Sequence, residues 1–198
     1  NTYNAIDIFN TMVSQKFYYI QTLATFSNYG KTATIEHGKR DDGIIIRPAH
    51  KDESDQIEKL AQNSFQFTRF HMDPYFDNDK SSLLLKKSAQ NSVLNGFVDI
   101  MLVAVDKNRI VGYYSAKNKH LAELNLNMGE AVISAVDADY RGRGIFSTLN
   151  IHLLNWFAEN TNIAEMGTYL VNYPIHRTWI NNQLIMVRGS HQLSKIIT

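Results

Sequence analysis

Apolar residues recur at three- and four-residue spacing between positions 5 and 28: Ile6, Phe9, Met12, Val13, Phe17, Ile20, Leu23 and Phe26. That period predicts one or two amphipathic helices. Asn28-Tyr29-Gly30-Lys31 breaks the pattern, and Thr32–Ile35 reads as a short strand. Residues 36–43, EHGKRDDG, carry charge and glycine without an apolar side chain, as a linker or turn does. Ile44–Ile46 is a β-branched run stopped by Pro48, which predicts a buried strand. Residues 51–65 read as a helix with an acidic first turn and a stripe of Ile57, Leu60, Ala61 and Phe65. Pro74 and its acidic neighbours make 69–79 a loop or broken helix, and 80–95 is helical again.

The period then shortens. Residues 99–106, DIMLVAVD, and 109–118, RIVGYYSAKN, read as strands joined by a tight turn at Lys107–Asn108. Residues 121–129 are polar enough for a connecting loop with a short strand at most. A strand over 130–137 leads to the clearest helix, 144–160, where Phe146, Leu149, Leu153, Trp156 and Phe157 share a face. A strand over 163–171, a short helix over 174–182 with proline near its start, and one or two strands over 184–197 complete the chain. From Gly43 onward this order predicts a mixed α/β sheet with helices on both faces.

Composition narrows the function classes. The 198 residues are 44% apolar and 20% charged, which favours a packed core over disorder. A net charge of +1 argues against general nucleic-acid binding or a polybasic membrane surface, so any anion site must be local. There is no cysteine, which excludes disulfides and thiolate chemistry and agrees with a cytoplasmic location. No apolar run has the length of a membrane span, and membrane insertion is not expected. The histidines lack metal-ligand spacing, so no metal is expected either.

The stretch that suggests chemistry is DYRGRGIF, 139–146, between the strand AVISAV and the helix STLNIHLLNWF. A glycine-containing turn that opens a helix aims several backbone N–H groups at one point, where the helix end adds partial positive charge. Pyrophosphate is the natural guest. The spacing is neither a P-loop nor GxGxxG.

Strand, Arg141-Gly142-Arg143-Gly144-Ile145-Phe146, then helix resembles the [QR]-x-x-G-x-[GA] motif of the GCN5-related N-acetyltransferase (GNAT) superfamily. Phe146 departs from the motif's small last residue. Further on, Asn172 matches the family asparagine, whereas Trp179 stands where the family has tyrosine and Gln183–Leu184 replaces its Gly-Phe. The resemblance covers about 43–198, with 1–42 as an N-terminal appendage, a reduced half-domain. It implies a GNAT fold: a mixed, mostly antiparallel sheet flanked by helices, with splayed strands forming an acyl-CoA cleft. It implies acetyl-CoA as cosubstrate and acyl transfer to an amine. Backbone groups of Ser134, Ala135 and Val136 would face pantetheine and the acetyl group. The amides of Arg141 to Phe146 would hold the pyrophosphate, with Asn172 and Trp179 lining the site.

A narrower resemblance, in the Thr68-Arg69-Phe70 motif, Asp73-Pro74 and the following helix, is to acetyltransferases of nucleotide-linked amino sugars, the TDP-fucosamine enzymes among them. It implies a role in cell-surface polysaccharide synthesis and acceptor contacts from Arg69, His71, Asp73 and Tyr75. Other small amines (a polyamine, an amino acid, a drug) and a non-catalytic acetyl-CoA-binding module are the alternatives, and a homodimer is a further expectation. The expected reaction is direct attack of the amine on the thioester, with a backbone N–H of strand 130–137 at the oxyanion. Glu130, His71 and Asp73 are candidate bases. Tyr173 is the nearest substitute for the missing tyrosine acid, Tyr169 lies on the preceding strand, and water is a third proton source.

Overall fold

The computed structural model describes residues 5–28, 40–62, 64 and 68–197. The strand expected at 32–35, residues 36–39 of the expected 36–43 linker and Phe65 lie outside the described residues. The elements are α1 (Ala5–Ser14), β1 (Tyr18–Ser27), β2 (Ile45–Pro48), α2 (Ser54–Gln62), α3 (Arg69–Met72), α4 (Asn78–Leu94), β3 (Ile100–Asp106), β4 (Arg109–Leu121), β5 (Leu126–Val136), α5 (Ile145–Asn160), β6 (Ile163–Tyr169), α6 (Tyr173–Asn181) and β7 (Ile185–Ser194).

One seven-stranded sheet runs in the order β2-β3-β4-β5-β6-β1-β7. Every neighbouring pair is antiparallel except β5 and β6. Helices cover both faces, as the element order predicts. Leu149, Leu153 and Phe157 of α5 and Trp179 of α6 pack on Phe26, Leu102, Tyr114 and Met166. On the other face Ile57, Leu60 and Ala61 of α2 and Ala89 of α4 pack on Met101, Val103 and Tyr113. The β3–β4 hairpin turns at Lys107 and Asn108, both at positive φ, as a two-residue hairpin requires.

Three expectations are corrected. Residues 18–27 form a strand, not a helix. Ile20, Leu23 and Phe26 do recur every three residues, but the segment is aromatic and β-branched, and it pairs on both edges, with β6 and β7. This strand from the N-terminal segment therefore lies inside the sheet. The connecting loop expected over 121–129 is confined to 122–125: β4 and β5 pair through Leu121 and Leu126 around Ala122–Leu124, with Asn125 left-handed at φ 48°, and 126–129 is the strand part of the expectation, the start of β5. Their polarity reflects an exposed hairpin end. Finally, β2 is an edge strand, with Ile44 buried but Ile45 62% exposed.

Candidate active site

The sheet forks at its centre. Parallel pairing of β5 with β6 covers only Met128–Glu130 against Ile163–Glu165 and then stops. Beyond it β5 stays bonded to β4, and β6 stays bonded to β1 through Tyr169. The facing edges of Ala131–Val136 and of upper β6 are thus left without a strand partner. A β-bulge bends β5 within the fork. Val132 and Ile133 stand between the partners of Tyr114 and Ala116, opposite the single residue Ser115. The buried Ser115 hydroxyl donates to Ile133 C=O at 3.2 Å and accepts from Ile133 N–H at 3.3 Å. A bulge re-aims a strand and increases its twist.

At the top of the fork lies the Arg141–Phe146 loop. Gly142 and Gly144 have φ of +77° and +74°, a conformation that side-chain-bearing residues rarely adopt. Gly144 caps α5. The backbone N–H groups of Gly142 to Phe146 donate to no acceptor among the described residues. They converge at a helix N-terminus, where the dipole favours an anion. Arg40 clamps the loop from outside. It donates to Arg143 C=O at 3.0 Å and to Thr148 Oγ1 at 3.0 Å, and pairs with Asp42.

Fork and loop open into one cavity of about 890 Å³. Its walls are the free β5 edge, the loop, Gly167–Tyr169 of β6, the start of α6 and, opposite, Thr68, Arg69, Phe70, Leu85 and Ser88.

No family sequence pattern matches the chain, and neither does any curated protein. Solved structures do. A GCN5-related N-acetyltransferase from Sphaerobacter thermophilus superposes with a TM-score of 0.63 at 13% identity, covering 96% of this chain and 55% of that one. A possible acetyltransferase from Clostridium difficile gives 0.60 at 20% identity, covering 78% and 99%. An aminoglycoside acetyltransferase from an uncultured soil metagenomic sample, solved with trehalose, gives 0.57 at 16%, covering 81% and 100%. The chain has the GNAT fold. It spans about half the length of the Sphaerobacter protein.

Within the GNAT cleft, Ser134, Ala135, Val136, Arg141, Gly142, Gly144, Ile145, Phe146, Asn172 and Trp179 all line the cavity. Arg143 does not. It donates to Asp139 C=O and lies over the Tyr140 ring at 4.7 Å. Phe146, the odd residue of the motif, turns its ring toward Tyr114 at 5.3 Å, away from the loop amides. Trp179 is only 2% exposed, its indole N–H buried beside the Tyr114 hydroxyl. The free strand edge and the unpaired loop amides fit a ligand rich in amide and phosphate oxygens, as acetyl-CoA is.

The structure does not bring the expected catalytic trio together. Tyr173 is 70% exposed and lies outside the cavity lining. Glu130 sits at the closed end of the fork, paired with Lys117 at 3.2 Å. His71 spends both ring nitrogens, on Thr68 Oγ1 at 2.8 Å and Ser82 Oγ at 3.1 Å. Among the four expected acceptor contacts only Arg69 lines the cleft. Asp73 is 4% exposed and accepts from Tyr18 Oη at 2.9 Å and Tyr75 N–H at 3.0 Å. Burial and that bond to Asp73 raise the Tyr18 pKa above its ordinary value. Tyr75 is 65% exposed, its ring 5.2 Å from that of Tyr18.

Of the two tyrosines expected as proton donors, Tyr169 is the one that lines the cleft. Its Oη accepts Arg69 N–H at 3.1 Å, which leaves its own proton free to donate. Tyr114 also lines the cavity, but burial raises its pKa well above the ordinary value and its hydroxyl faces Met166 Sδ at 3.8 Å. Arg40 and the Ser115 bulge carry no sequence motif. A polar serine within the apolar run of β4 was the one available sign of the bulge.

Proposed function

We propose that this chain is an acetyl-CoA-dependent N-acetyltransferase acting on a small-molecule amine. The observation that carries the proposal is the fork. An unpartnered strand edge and the unpaired amides of the loop residues Gly142, Gly144, Ile145 and Phe146 border one cavity of about 890 Å³. Bound there, acetyl-CoA supplies the electrophilic thioester carbonyl.

The chain's own groups then have distinct tasks. The amides of Gly142 to Phe146 bind pyrophosphate, and Arg40 holds the loop in that geometry. The β5 edge aligns pantetheine and offers an N–H to the carbonyl oxygen as negative charge develops. The amine nitrogen bonds to the carbonyl carbon as the carbon–sulfur bond breaks. Tyr169 is placed to hold the proton that the leaving sulfur takes. No Asp, Glu or His lines the cavity among the described residues, so the proton lost by the amine passes to water.

For the acceptor, the sequence likeness makes a nucleotide-linked amino sugar the narrower proposal, with Arg69 toward its phosphates. A polyamine, amino acid or drug is the alternative. Thermal-shift measurements with acetyl-CoA test the cleft, and no shift at millimolar acetyl-CoA overturns the reading. Thiol release with amino-sugar nucleotides, polyamines and amino acids then tests the acceptor. A second reading, a non-catalytic acetyl-CoA-binding module, draws on buried Trp179 at the family's tyrosine position. It predicts a thermal shift without thiol release for any amine.

A further inference from the structure

Behind Arg69 lies a second chamber of about 270 Å³, enclosed by α1, the start of β1, α3 and the end of β7. Arg69 and Phe70 line both this chamber and the large cleft, so the two adjoin there. Its apolar wall includes Phe17, Ile20, Phe70 and Phe76. Two cations stand against these rings: Arg69 over Phe70 at 5.1 Å and Lys195 over Phe17 at 5.4 Å. Neither forms an ion pair among the described residues. Asp73, the one carboxylate in the wall among the described residues, is buried with its oxygens occupied by bonds from Tyr18 and Tyr75. Arg69 and Lys195 together outweigh its single negative charge, which leaves net positive charge for a ligand.

From this geometry we infer that the chamber is the acceptor's distal subsite, selective for a compact amine that also carries an anion and an apolar group. The inference rests on the acetyltransferase reading above. The anion, a carboxylate or a phosphate, bonds to Arg69 in the field of Lys195, and a guanidinium suits either group. The apolar group lies on Phe17 and Phe76. The amine then points past Arg69 to Tyr169 and the forked strands. Size adds selectivity. At about 270 Å³ the chamber matches a compact ligand such as an amino acid better than a whole nucleotide. If the acceptor is a nucleotide sugar, its nucleotide stays outside this chamber.

Four probes test this: L-phenylalanine against L-phenylalaninamide, and O-phosphoethanolamine against ethanolamine. Ligand-observed NMR reports binding to the full chain without acetyl-CoA, and thiol release reports turnover with it. Each anionic probe should bind at least tenfold more tightly than its neutral partner. Preference for the phenylalanine pair identifies a carboxylate with an aromatic body, and preference for the other pair identifies a phosphate. Arg69→Gln and Lys195→Gln should each shrink the discrimination, and Lys195→Gln should keep the wild-type thermal shift with acetyl-CoA. Equal binding of charged and neutral probes, binding of neither anionic probe at millimolar concentration, or discrimination unchanged in both variants overturns the chamber. Anionic-probe binding without any acetyl-CoA shift instead overturns the acetyltransferase reading and leaves the chamber as an anion site.

Discussion

Gly129 stands at the last paired residues of β5 and β6, where the fork begins. A Cβ placed there would lie 2.3 Å from Phe157 Cδ1 and 2.5 Å from Cε1. Ordinary carbon contacts sit near 3.5–4.0 Å, so the ring would have to retreat by about 1 Å. Phe157 is buried in the core of α5 and has no open side to move into. Overpacking costs about 1–3 kcal/mol, and a ring clash this deep belongs in the upper part of that range, about 2–3 kcal/mol. Backbone entropy argues the other way. Gly129 does not have positive φ, so alanine would fit the strand and gain about 0.4–1 kcal/mol through the unfolded chain. The steric term is the larger. Gly129→Ala should lower Tm by roughly 2–10 °C for a chain of this size. A double-mutant cycle with Phe157→Leu supplies the control, because a smaller side chain under the new methyl removes the clash. The Gly129→Ala penalty should fall by at least half in the Phe157→Leu background, read by urea unfolding at constant m-value. A Gly129→Ala protein as stable as wild type, or an equal penalty in both backgrounds, would refute the contact between ring and strand.

Tyr169→Phe should lower kcat by about 10²-fold with the KM for acetyl-CoA unchanged, whereas Tyr173→Phe should leave both unchanged; stopped thiol-release assays separate the two. Arg40→Ala removes the bonds to Arg143 C=O and Thr148 and should raise the KM for acetyl-CoA about tenfold while kcat at saturation changes little. With no Asp, Glu or His lining the cleft among the described residues, kcat/KM should climb with pH up to the acceptor amine's own pKa, so two acceptors of different pKa should give two different profiles. Glu53 is held below the usual carboxylate range, first by its hydrogen bonds from Arg47. Its stabilisation is complete above the unfolded value near 4.3 and is lost as pH falls through the lower folded value. Glu53→Gln should therefore be less stable than wild type at pH 7 and lose less on acidification, as followed by thermal unfolding from pH 7 to 3.

The 141–146 loop was legible because its geometry is local: glycines at fixed spacing, a strand before and a helix after. The three expected strand positions 134–136 follow from the same connection. The acceptor side was not legible, because its residues meet through contacts distant in sequence. Arg69 reaches Tyr169 across 100 residues, and Tyr18 reaches Asp73 across 55. His71 and Asp73 have the right types for acid–base work, and nothing in their spacing shows that Thr68, Ser82 and Tyr18 already occupy them. Trp179 in the tyrosine's place raised the question of the proton donor, and nothing around it in the sequence answers that question.

The fork itself depends on the segment whose period was most misleading. Two strands with free facing edges would zip together unless something held them apart. Here three features act at different heights. Phe157 packs directly under Gly129 at the base, where any side chain on the strand would clash. Ser115 fills the bulge opposite Ile133 and bends β5 midway. Antiparallel pairing of Leu23–Ser27 with Glu165–Tyr169 anchors β6 on its far side, all the way to the level of the loop. That last anchor is β1, which also contributes Leu23 to the cleft and, with Phe17 just before it, Ile20 to the second chamber. The N-terminal segment thus builds one wall of each cavity. Substitutions in β1 that loosen its pairing with β6, such as Thr25→Pro, should cost acetyl-CoA binding and acceptor discrimination together, whereas changes confined to the loop should cost only the first.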